Sequence, residues 1–169
     1  MARTSLQNVL SLGDPAQSWN FDFFLPIIPG SSDTRDLTYR CMTSDLPGSQ
    51  LEALDVALHG VQVPYAGRRM FTQTMSVTFL ETVDWETSRK FVRWQEIARS
   101  WRMNSGSGSA VYWATGQMVL YNDSAEVART IQINNIFPEN VQEAQLDGSS
   151  SQAIQLSLTL RYTDWQETS

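Results

Sequence analysis

Hydrophobic and polar positions alternate most regularly near the end of the chain. In AIQLSLTLRYT, residues 153–163, Ile154, Leu156, Leu158, Leu160 and Tyr162 fall on one side, and Gln155, Ser157, Thr159 and Arg161 on the other. A period of two over this length predicts a strand buried on one face. FTQTMSVTFLET, 71–82, alternates likewise, with Phe71, Met75, Val77 and Phe79 opposite Thr72, Thr74, Ser76 and Thr78. WNFDFFLP (19–26), LTYRCMTSDLPG (37–48), GQMVLYN (116–122) and VARTIQINNIFP (127–138) read as further strands. Residues 1–18 are polar with scattered Leu and Val, interrupted by Pro15, and read as an N-terminal arm or a short helix before a turn. From 49 to 71 the period is lost among Gly60, Pro64 and Gly67. That segment reads as a long hairpin or an excursion from the body, and such segments are usually functional or interfacial.

One stretch, 84–103, has the helical period. At about 100° per residue, Phe91, Trp94, Ile97, Ala98 and Trp101 fall within an arc of about 120°, a stripe that docks on a core. Asp84 is placed to cap the helix, Glu86 lies in the first turn, and Arg99 and Arg102 lie near the end, each suiting the helix dipole. Trp85 and Val92 lie off the stripe, beside Arg89 and Arg93, and are expected to touch another subunit, unless a local loop covers them. NSGSGSA, 104–110, follows as a flexible loop. Six or seven strands buried on one side, with one helix, predict a single mainly β domain over 1–169. Its expected architecture is two packed antiparallel sheets, as a sandwich or barrel, flanked by the helix.

Charge and chemistry narrow the function. Asp and Glu number 18 against 12 Lys and Arg, a net charge of −6. That balance argues against a protein that coats nucleic acid, although 85–103 holds five basic and two acidic residues. Cys41 is the one cysteine, so no intrachain disulfide forms. The N-terminal MARTSLQNVLSLGD lacks an apolar signal core, and no run approaches the roughly 20 apolar residues of a spanning helix. The expected compartment is the cytosol of the producing cell, without membrane insertion. His59 is the one histidine and has no Ser or Cys motif around it. His59 and Cys41 are too few for a metal site, and Asp33/Asp36 and Glu52/Asp55 form no calcium loop. The glycines at 106 and 108 are not followed by Lys-Ser/Thr, so they are no phosphate loop. No catalytic, cofactor or metal residues are therefore expected, and the chain does not read as an enzyme. Six tryptophans leave a carbohydrate-binding β-sandwich as the alternative from another class.

Two segments together resemble the tail tube proteins of contractile-tailed phages. RKFVRWQEIA, 89–98, is similar to that family's Lys-Phe-Val-x-Trp helix motif. IQINNIFPENVQEAQLDGSSSQAIQLSLTLRYTDW, 131–165, resembles its C-terminal block: a strand, an apolar pair before proline, a Val-x-Glu-x-x-Leu-Asp connection and a long alternating final strand. CMTSDLPG (41–48) and GDPAQSWNFDFFLP (13–26) are similar to earlier family segments, so the likeness covers nearly the whole chain. NSGSGSA and PIIPGSSDTRD depart from the family pattern.

The resemblance implies hexameric rings stacked into a hollow tube inside a contractile sheath. It implies that 45–71 is the inter-subunit loop, with Leu51, Leu54, Val56, Val61, Val63 and Tyr65 at the interface. The polar face of Gln155, Ser157, Thr159 and Arg161 would line the lumen. Trp85, Arg89, Val92 and Arg93 would meet the sheath or a neighbouring copy. The implied partners are further copies of the chain, the tail sheath protein, the tape-measure protein, the baseplate tube initiator and the tail terminator. DNA would pass through the lumen without specific binding, and acidic charge repeated around each ring would repel its phosphates. The implied location is the virion tail, after assembly in the host cytoplasm. A tube or tube initiator of a related contractile injection or secretion machine is the second expectation.

Overall fold

The alternating segments become sheet over most of the chain. A computed structural model describes residues 11, 15–142, 144, 146–149 and 151–168; most of the expected arm at 1–18 lies outside them. In chain order the elements are β1 Phe21–Phe24, α1 Arg35–Arg40, β2 Cys41–Ser44, β3 Ser49–Leu58, β4 Val61–Phe71 and β5 Thr74–Leu80. Then come α2 Glu86–Ala98, α3 Ser109–Tyr112, β6 Ala114–Tyr121, β7 Val127–Gln142, β8 Gln155–Arg161 and β9 Asp164–Thr168. Every strand pairing among the described residues is antiparallel. Two sheets, β1-β6-β7-β9 and β7-β8-β5-β2, share the long strand β7, and β3 pairs with β4 alone.

Alternation places the core between the sheets. Phe23, Met118, Ile131 and Ile133 come from one; Met75, Val77, Phe79, Leu156, Leu158 and Leu160 come from the other. The Phe23 and Phe79 rings meet across the gap at 6.5 Å. Helix α2 adds Phe91, 5.3 Å from Phe79, and Trp94, 6.2 Å from Phe91. The Trp94 indole is buried but satisfied, donating to the Tyr112 carbonyl at 2.6 Å. The Gln95 amide donates to the carbonyls of Pro138 and Glu139, both at 3.3 Å. Helix α2 thus shields a length of β7 that, among the described residues, has only β8 as a strand partner.

The structure revises several sequence expectations. The strand expected over 37–48 is a short helix followed by a strand. Alternation over so few residues does not separate the two. Leu37 is buried, and Asp36 pairs with Arg40 across one helical turn at 3.2 Å. Strand β9 was not anticipated, because DWQET is short and mostly polar. The helix is shorter than 84–103. After Ala98 the backbone turns extended at Arg99, which bridges Gly106, and the Ser107 amide donates to the Ala98 carbonyl at 3.2 Å. That exit takes Trp101 out of the stripe; it is 74% exposed and is not a core residue. Phe91 and Trp94 are buried, whereas Ile97 and Ala98 are half-buried. Nor does Asp84 cap the helix, because Trp85 takes the cap position at φ +55°. The free amides turn instead to Glu81 at the end of β5. Its carboxylate accepts from Thr87 at 3.0 Å and Ser88 at 2.8 Å, as well as from Thr82 at 2.9 Å.

Candidate assembly surface

The β3–β4 hairpin is the most unusual surface of the molecule. Leu58 pairs with Val61 across a two-residue turn, His59-Gly60, in which both residues have positive φ (+50° and +81°). That is the turn geometry whose twist suits a hairpin, and it accounts for the one histidine as a turn residue. The strands contact each other and scarcely touch the body. At about 3.3 Å per residue the eleven residues of β4 make an arm of about 36 Å.

Register decides what the arm presents. Leu54 pairs with Tyr65, Val56 with Val63 and Leu58 with Val61, so six apolar side chains share one face. The alternate pairs, Asp55 with Pro64 and Ala57 with Gln62, give the other face small and polar groups. Leu54, Leu58, Val61 and Tyr65 are each more than half exposed. A two-stranded ribbon is marginal in water by itself, and a contiguous exposed apolar stripe marks a surface meant to be covered. Of the expected interface residues, Leu54, Val56, Val61, Val63 and Tyr65 come together here. Leu51 does not, since it pairs with Arg69 beyond a register shift. Leu58 belongs to the stripe and was missed, because without the turn position the pairing register could not be assigned.

The base of the hairpin is held by a small set of bonds. The Asp45 amide donates to the Ser76 carbonyl at 2.9 Å, and the Ser76 amide to an Asp45 carboxylate oxygen at 3.0 Å. The Gly48 carbonyl accepts from the Thr72 amide and from Nε1 of Trp165, both at 3.2 Å. The Trp165 ring meets Phe71 edge-on at 6.3 Å. The Arg129 guanidinium lies 5.9 Å from the same ring's centre.

Two further surfaces carry expected site residues. On β8, Gln155 and Ser157 are exposed and Thr159 and Arg161 half-buried, all on the face away from the core. Pairing sets Ser76 and Thr78 of β5 beside Thr159 and Ser157, so this face is a carpet of hydroxyls and amides. Its Arg161 is neutralised by Glu139. On α2, Lys90 turns inward to Asp36 at 2.8 Å, leaving Arg89 and Arg93 exposed and in no ion pair among the described residues. Val92 lies between them, 47% exposed, and Trp85 precedes them, 38% exposed. Among the described residues no three His, Cys, Asp or Glu side chains are grouped to hold a metal, and no helix is long and apolar enough to cross a membrane. Half-buried Cys41 is held as a thiol: burial first, then the nearby Asp22 charge, pushes it up to about 12.

A sequence profile described as phage tail tube protein matches residues 16–168. The chain is 28% identical over 135 residues to tail tube protein gp19 of Enterobacteria phage T4, covering 78% of this chain and 82% of that one. It is 25% identical over 147 residues to the tail tube protein of Serratia phage KSP90, covering 85% and 82%. Its fold superposes with a TM-score of 0.64 on a chain of the extended sheath–tube complex of an extracellular contractile injection system. That match covers 99% of both chains at 12% identity.

Proposed function

The chain belongs to the phage tail tube protein family, and on that premise we propose that its copies join through the β3–β4 hairpin into hexameric rings stacked as a hollow conduit. It is a structural tail tube subunit and not an enzyme. The observation that carries the assembly reading is the apolar stripe on an arm that the protomer leaves uncovered. A stripe that meets a different surface of the next copy is a heterologous contact, the type that closes into rings. Edge strands β1, β2 and β9, each with one strand partner among the described residues, are the places where sheets of neighbours would join.

The outward face of β5 and β8 is the proposed lumen wall. Ser76, Thr78, Gln155, Ser157 and Thr159 offer no cation to hold a phosphate, and the Arg161–Glu139 pair is neutral. DNA and a tape-measure protein would slide along such a wall without specific binding. Likeness to the T4 and KSP90 tail tube proteins supports a place in the virion tail, with assembly in the host cytoplasm as the proposed route. The extracellular injection system that the fold resembles is a sheath–tube complex. By analogy, Arg89, Val92 and Arg93 on the outer face of α2 are proposed to receive the sheath, with baseplate initiator and terminator at the tube ends. Reversing charge in Arg93→Glu should leave tubes intact and weaken sheath recruitment in a co-sedimentation assay; undiminished recruitment refutes the assignment.

Electron microscopy of the purified protein tests the central reading, with stacked rings or tubes expected. A chain lacking about ten residues within 49–66 should fold as a protomer and fail to polymerise; normal tubes from that deletion would remove the hairpin from the interface. A monomer that binds glycans would favour the carbohydrate-binding alternative.

A further inference from the structure

We propose that Trp165 is a positioning residue for tube assembly: from β9 it fixes the angle at which the hairpin leaves the body. The inference rests on the reading of the hairpin as the joint between copies. The chain departs from the body at two breaks, 45–48 and 72–73, where regular pairing stops and Gln73 has φ +61°. An arm of about 36 Å moves its tip by about 6 Å for a swing of about 10° at its base, more than the separation of two strands. A ribbon tied only at its root therefore needs a stiff root if its stripe is to meet the next copy in register.

Trp165 supplies that stiffness from outside the ribbon. The Gly48 carbonyl gathers the Thr72 amide and the Trp165 indole N–H, both at 3.2 Å. These two bonds tie the outgoing break to the returning one, and both to β9. A side chain at 48 would set its Cβ 2.9 Å from the Thr72 hydroxyl, so glycine keeps the two breaks close enough for the shared carbonyl. The indole ring lies between Phe71 at the foot of β4 and the Arg129 guanidinium on β7, and Arg129 is held in turn by Glu167 at 3.1 Å. Among the described residues strand β9 pairs with β7 alone, and through the Trp165 side chain it gains a hold on the hairpin. Trp165 is half-buried and contributes one ring to the rim of the core, so its indole N–H acts mainly on geometry.

The test replaces Trp165 with 3-benzothienyl-alanine, which keeps the ring shape and substitutes sulfur for the N–H, and in parallel makes Trp165→Phe. Spin labels at Gln62→Cys near the hairpin tip and Asp123→Cys on the body, in a Cys41→Ala background, report the arm's angle. With either replacement the label-to-label distance distribution should broaden. The melting temperature should fall by only about 2–6 °C, as the loss of one hydrogen bond within the protomer requires. The critical concentration for tube formation should rise about tenfold, the equivalent of one good hydrogen bond. A distribution as narrow as the parent's, together with parental assembly, overturns the proposal. The stripe variant L54S/L58S separates the two readings. It should keep the narrow distribution and still assemble poorly. If it assembles normally, the hairpin is not the joint, whatever Trp165 does to its angle.

Discussion

Serine in place of both Leu54 and Leu58 is the most direct test of the stripe. In the protomer these side chains are 58% and 56% exposed, so a little over half of each remains to be covered on assembly. Full burial of a leucine is worth about 2–3 kcal/mol, which makes the remainder about 1–1.5 kcal/mol each and about 2–3 kcal/mol for each protomer added to a tube. At about 1.4 kcal/mol per tenfold, the critical concentration should rise about 30- to 150-fold. The protomer itself loses only the cross-strand contacts of these leucines with Tyr65 and Val61, each worth about 0.2–1 kcal/mol. Sedimentation of tubes across a protein dilution series reads the critical concentration, and near-ultraviolet circular dichroism confirms the fold. The loss should persist at high salt, because apolar burial is not screened as ion pairs are. A folded variant whose critical concentration stays within about threefold of the parent would show that the stripe is not covered in the tube.

Other consequences are local to the protomer. Leu158→Asp puts an unpaired charge between Val77 and Val141 at a site 2% exposed, a cost of several kcal/mol against a total stability of about 5–15. No soluble folded protein is expected, and recovering it would invalidate the inward face assigned to β8. Glu81→Ala removes the acceptor of three amides and should cost about 2–3 kcal/mol, a fall in melting temperature of about 4–12 °C. Asp84→Ala should cost under about 0.5 kcal/mol, and equal losses from the two would contradict the capping by Glu81. Cys41, raised from 9.0 to about 12, should resist iodoacetamide at pH 8 in the folded protein and react on unfolding. Since the folded value lies above the unfolded one, its contribution to stability is complete below about pH 9 and is lost as pH climbs toward about 12. Cys41→Ala should flatten that alkaline slope in urea titrations, and rapid alkylation of the native thiol would refute the burial argument.

The features legible from sequence are those written in a local period. Alternation in 153–163 assigned Leu156, Leu158 and Leu160 to the core, because successive strand residues point to opposite faces whatever the partner strand. The spacing of Phe91 and Trp94 revealed the helix by the same local logic, and the motif around them, together with the block at 131–165, carried the resemblance to the family. What the tertiary structure decided depends on groups far apart in the chain. The helix end at Ala98, and with it the exposure of Trp101, follows from a backbone pairing between Arg99 and Gly106. The cap on α2 comes from the carboxylate of Glu81, the residue that follows β5, not from the adjacent Asp84. The stripe needed the turn at His59-Gly60 to set the register, since a slip of one residue would have moved Leu54, Val56 and Leu58 out of line with Val61, Val63 and Tyr65. Trp165 and Gly48 stand 117 positions apart, and no periodicity links them. The sequence alone thus determined which faces are apolar and which family the chain resembles. Only the folded arrangement decided which apolar face stays uncovered, because burial is set by the elements that arrive from elsewhere in the chain.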